Sequence, residues 1–124
     1  MNRYGKGGQI YTAMLTPDKT VDFENRVRFA ASEAMRGHLL FDGAVIVQMG
    51  IYVEPPASWS GKKQRLALSG QLQPTSKPDI DNVAKSVLDA CNGVVFRDDT
   101  QVCRLVVWKA FRESPGLSME VMAL

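Results

Sequence analysis

The chain has 124 residues, 45% hydrophobic and 23% charged, with a net charge of +2. That balance suits one globular domain with one core and excludes a disordered or fibrous chain. No apolar run approaches the roughly 20 residues that cross a bilayer, and the polar, glycine-rich start is no secretory signal, so a cytoplasmic location is expected.

Residues 1–9, with Arg3 and Lys6 and no acid, read as a flexible basic arm ahead of a domain over residues 10–124. Residues 9–12 read as a short extended piece. Thr16-Pro17-Asp18 is a helix-start signal, since proline suits the first turn. Val21, Val27, Ala30, Ala31, Ala34 and Met35 then recur at helical spacing, which predicts a helix over 18–36 stopped by Gly37. His38, the one histidine, falls at that helix end, in a capping or surface position.

Residues 44–53 are apolar and β-branched and predict a strand, ended by Pro55-Pro56. Residues 62–68 predict a short helix capped by Ser58 or Ser60 and stopped by Gly70. A loop over 71–78 leads into a helix over 80–91, with Val83, Ala84, Val87, Leu88 and Cys91 on its apolar face and Asn92-Gly93 closing it. Residues 94–96 read as a brief strand or extended segment and 97–100 as a turn. Strands are predicted over 102–111, with Arg104 facing solvent and Trp108 in core or interface, and over 117–122. Cys91 and Cys103 lack metal-ligand spacing and read as buried free thiols. One α+β domain results.

Basic charge is segregated. Residues 57–77 carry Lys62, Lys63, Arg65 and Lys77 and no acid, as a polyanion-binding surface needs. Trp59, just before those lysines, can stack on an unpaired base or pack on the domain edge.

The informative acids follow. Asp79 and Asp81 stand two residues apart at a loop-to-helix junction, Lys85 is one turn beyond Asp81, and Asp98-Asp99 lies in a later turn. Carboxylates of this kind can hold one or two Mg²⁺ ions, which clamp a phosphodiester and activate water. A lysine alongside can steady developing negative charge. Each acid also has a plain structural reading: Asp79 as helix cap, Asp81 as first-turn anion or partner of Lys85, Asp98-Asp99 as turn residues. Asp89, four residues after Lys85, reads as its fixing partner.

The run Lys77-Pro78-Asp79-Ile80-Asp81-Asn82, then Lys85, Leu88-Asp89-Ala90, Asn92-Gly93-Val94-Val95-Phe96 and Asp98-Asp99-Thr100-Gln101-Val102, resembles the signature of the RusA family of Holliday-junction resolvases, in a phage or prophage type of member. Pro56-Ala57-Ser58-Trp59-Ser60 with its following basic cluster resembles the family's middle segment. The resemblance implies a two-layer α+β domain, a mixed sheet with helices packed on it. It implies a homodimer that resolves four-way junctions and other branched DNA by paired nicks in recombination and repair, using Mg²⁺, with Mn²⁺ as a substitute. The implied metal ligands are Asp79, Asp81 and Asp99, with Asp98 as a further acid and Lys85 as the catalytic lysine. DNA contacts are expected from Arg3, Lys6, Trp59, Lys62, Lys63, Arg65 and Lys77. The family's first strand and basic stretch are represented only by residues 1–8, so an edge strand is expected to be missing. An inactive DNA-binding module of the same fold and a hydrolase of small phosphate esters are the rival readings.

Overall fold

The computed structural model describes residues 8–13 and 21–124. Arg3, Lys6 and the Thr16-Pro17-Asp18 signal lie outside them. In chain order the elements are β1 (Gly8–Ala13), α1 (Val21–Ala34), β2 (Val45–Val53), α2 (Gly61–Leu68), α3 (Ile80–Cys91), a single 3₁₀ turn (Asp99–Gln101), β3 (Val102–Phe111) and β4 (Gly116–Ala123).

The four strands form one mixed sheet in the order β1-β4-β2-β3. β2 and β3 are parallel, Val45 to Val53 against Val102 to Phe111, and β4 runs antiparallel to both β1 and β2. Every second residue of β2, Val45, Val47, Met49 and Ile51, is fully buried. That period of two directs one face of the sheet toward the helices. α1 answers with Phe23, Val27 and Ala31, and the turn after it with Met35, at steps of four, and α3 with Val83, Ala84, Val87, Ala90 and Cys91. All of these join one core with Leu117, Met119 and Val121 of β4. Each fully buried Phe or Val side chain contributes about 1.5–3 kcal/mol relative to exposure. The result is the expected two-layer α+β domain.

α3 is the connection between the parallel strands β2 and β3, so it runs back across the sheet toward the start of β3. Arg28 of α1 donates to Ala90 O (3.3 Å) and Asn92 O (3.1 Å) at its far end. These carbonyls are left open by the end of the helix, and a guanidinium suits the negative pole there.

Several expectations are corrected. The first strand is present: Gly8 and Gln9 pair with Met122 and Val121, so the last residues assigned to the arm belong to the sheet. Residues 93–95 form a turn, and Phe96 makes isolated β-bridges with Phe41 and Asn92, so 94–96 is no continuous strand. Gly93 adopts φ 75°, its N–H donates to Phe96 O, and the chain folds back on itself. Cys91 is buried but Cys103 is exposed. The reason is sheet position. β3 has β2 on one side and no strand on the other among the described residues, and α3 leaves part of its length uncovered. Arg104 is exposed as expected, but so are Leu105 (42%), Val106 (46%) and Trp108 (39%).

Candidate active site

Asp79 occupies the N-cap position of α3, with φ −74° and ψ 133°, yet its side chain makes no capping hydrogen bond. One carboxylate oxygen instead accepts from Asn82 Nδ2 at 3.3 Å. Capping thus leaves the carboxylate unused. Asp81 stands in the first turn, where the helix dipole favours an anion. Asp79, Asp81 and Asn82 are all exposed. Lys85 lies one turn further on, and its ammonium is 3.8 Å from Asp89, the partner expected for it.

The loop before Asp79 carries a cis Lys77–Pro78 peptide. Lys109 of β3 reaches under it, donating to Ser76 O (2.5 Å) and Pro78 O (3.0 Å). Sequence reasoning missed both Asn82 and Lys109. Asn82 was visible as the fourth residue of Asp-x-Asp-Asn. Lys109 had no local signal, because its hydrogen bonds cross more than thirty residues of sequence.

Asp98 and Asp99 take different positions. Asp98 caps the 3₁₀ turn, its Oδ2 accepting from Thr100 N at 3.0 Å. Hydrogen bonds from the Thr100 side chain and then its backbone hold the Asp98 carboxyl below the usual aspartate range. Gln101 completes the cap by accepting from Arg97 N and Asp98 N, and donates to Phe41 O (3.0 Å) and Gly43 O (2.9 Å). The turn is therefore tied to the chain that enters β2, at the starting ends of β2 and β3. Asp99 is held there without being used in the cap.

The two acidic groups stand at opposite ends of α3. That helix has 12 residues and is about 18 Å long. Asp79 and Asp81 are at its start, beside the Lys109 end of β3, while Asp99 comes after its end and heads β3. Among the described residues no three acidic, histidine or cysteine side chains gather closely enough to hold a metal ion. The donors fit Mg²⁺ in kind, being hard carboxylate oxygens open to water. Within one chain these carboxylates form two separate groups, one at each end of the helix.

Lys62, Lys63 and Arg65 are on α2, where both lysines are exposed, and Lys77 is exposed beside Asp79. α2 begins where Ser60 caps it, accepting from Lys63 N at 3.2 Å. Trp59 is half-buried. Its ring meets Phe111 edge-on, with centroids 5.4 Å apart at 68°, and the Lys63 ammonium lies 4.1 Å above it. Packing on the domain edge therefore holds, with a cation on the ring. These basic and aromatic groups share the end of the sheet where β3 finishes, the same end as Asp79.

The match to the family model for endodeoxyribonuclease RusA covers residues 2–122. The chain belongs to the RusA endodeoxyribonuclease family. It is also 37% identical over 118 residues to the uncharacterized protein YqaN of Bacillus subtilis (strain 168), covering 94% of this chain and 81% of that protein. Membership of the RusA family agrees with the two-layer α+β fold and makes this scaffold that of an endodeoxyribonuclease family. Among the described residues no helix is long and apolar enough to cross a membrane.

Proposed function

We propose that this RusA-family protein is a Mg²⁺-dependent endonuclease that resolves four-way DNA junctions by paired nicks, working as a two-fold dimer in recombination and repair. The observation that carries the reading is the state of Asp79: a carboxylate at a helix start, oriented by Asn82 and left free by the cap. Asp79 and Asp81 bind the ion from one side, and Asp99 is the third ligand. Bound Mg²⁺ supplies polarisation of the scissile phosphate and activation of the attacking water, and Mn²⁺ can replace it. Lys85, fixed by Asp89, faces the charge that grows on the phosphate. Lys62, Lys63, Arg65, Lys77 and Trp59 hold the DNA, with Arg3 and Lys6 adding charge.

The length of α3, about 18 Å, supports a site shared between two subunits. Among the described residues β3 is an edge strand, with Leu105, Val106 and Trp108 exposed, which is a template for another strand. Antiparallel pairing of two β3 edges about a two-fold axis sets the finishing end of one strand against the starting end of the other. That brings Asp79 and Asp81 toward Asp99 of the partner subunit. Each dimer then has two sites, each shared, as paired nicking requires.

The test is cleavage of a synthetic four-way junction by the purified protein with and without Mg²⁺, beside a linear duplex of the same sequence. Paired nicks in the junction that need the ion are expected. Binding without cleavage at any Mg²⁺ or Mn²⁺ concentration would instead make the protein an inactive DNA-binding module.

A further inference from the structure

Residues 71–79 join α2 to α3 without regular structure, and they deliver Asp79 and Asp81. The body of α3 is fixed by Val83, Val87 and Cys91 in the core and by Arg28 at its far end. Its first turn has no such anchor. Asp79, Ile80, Asp81 and Asn82 are all exposed, and the Asp79 side chain does not lock the turn as a cap would. Lys109 meets the chain at this point. It sits on the helix-facing side of β3, opposite buried Ile51, and its half-buried side chain donates to the carbonyls of Ser76 and Pro78, on either side of Lys77. The second of these carbonyls is the one that precedes Asp79.

We infer that Lys109 is a positioning residue for the metal end of the site: its ammonium clamps the 76–78 backbone and so fixes where Asp79 and Asp81 point. The inference rests on the reading of those two aspartates as metal ligands. The physical ground is the strict geometry Mg²⁺ demands. The ion takes near-ideal octahedral coordination, and losing an outer partner that orients a ligand weakens metal binding by roughly 10–100-fold. In this role Lys109 need touch neither phosphate nor ion. It acts through the backbone, from a strand remote in sequence, and it ties the metal-bearing loop to the same edge strand whose start carries Asp99.

The test compares wild type with Lys109→Met, which keeps the length and apolar stem and removes the charge, and with Lys109→Arg, which restores a cation with several donors. In metal-free protein, amide order parameters for Ser76, Lys77 and Asp79 to Asp81 should fall in Lys109→Met from a rigid value of about 0.85 to below about 0.6, with the core of α3 unchanged. Calorimetric titration with Mg²⁺ should show affinity lowered by about tenfold or more. Junction affinity without metal should stay within about twofold, and cleavage should return toward wild type as Mg²⁺ is raised. Lys109→Arg should recover most of the rigidity and metal affinity. Unchanged order parameters and metal affinity in Lys109→Met would overturn the inference. So would parallel losses of metal-free junction binding and thermal stability, which would make Lys109 a general structural residue. Failure of the wild-type protein to cut any branched DNA would instead overturn the proposed function, while the order parameters would still report on the clamp.

Discussion

Asp98 and Asp99 are neighbours in sequence, and their geometry separates them. Asp98 commits its carboxylate to the 3₁₀ cap, whereas the Asp99 carboxylate takes no part in that cap. Asp99→Asn should therefore abolish cleavage with the fold intact, and Asp98→Asn should retain most activity while loosening the turn. Asp81→Asn and Asp79→Asn should lower turnover on the order of a thousandfold, since several kcal/mol of charge stabilisation are removed. Junction binding should hold or tighten, because repulsion of the phosphates falls. Steady-state cleavage and gel-shift binding of the four variants would check this, and equal loss at Asp98 would assign the wrong member of the pair. The cap also gives a pH dependence. The Asp98 carboxyl is lowered in the folded state, so its stabilisation is fully present above the ordinary aspartate value of about 3.9 and is lost as pH falls through the lowered folded value. The difference in Tm between wild type and Asp98→Asn should be constant near neutrality and shrink only in acid below about pH 4. A difference that disappears already between about pH 5 and 7 would point to another group.

At the scale of elements, α2 is a short basic helix whose start depends on Ser60. Replacing Lys62, Lys63 and Arg65 together by Ala should weaken junction binding and flatten its salt dependence by roughly 0.9 in log–log slope for each phosphate no longer neutralised. Mg²⁺ binding should be unaffected, because none of the three residues is among the proposed ligands. An unchanged slope in a salt titration would remove α2 from the DNA surface. α2 and α3 were legible in the sequence because their signals are local: Ser60 before one, Asp79 before the other, and apolar residues at helical spacing. β3 was legible as a strand with its bounds, but not as an edge. Whether Cys103 and Leu105 are covered depends on strand order, and alternation in one strand says nothing of its neighbours. The turn at 93–95 was misread because Val94-Val95-Phe96 has strand composition, while Gly93 at positive φ turns the chain. The first strand was undercounted because a short segment running from a glycine to an alanine carries little pattern of its own.

At the scale of the molecule, the acidic motif supplies the proposed ligands but not their arrangement. Twelve of the residues between Asp79 and Asp99 are wound into α3, and a helix of that length holds its two ends apart. Sequence spacing alone makes the acids look like one cluster, whereas the fold sets them at two ends of a helix beside an open edge strand. A charged residue on that edge should therefore act on assembly and catalysis together. Val106→Lys should shift the protein to monomer in sedimentation and lower Mg²⁺ affinity in the same variant, whereas a monomer with undiminished cleavage would break the link. The most direct test of the shared site is complementation. Asp81→Asn and Asp99→Asn proteins, each inactive alone, are mixed, allowed to exchange subunits and given a four-way junction with Mg²⁺. In a mixed dimer one shared site carries both substitutions and the other carries neither, so the account predicts that single-strand nicks reappear. A mixture that exchanges subunits yet stays inactive would place all three aspartates of each site in one subunit and contradict it.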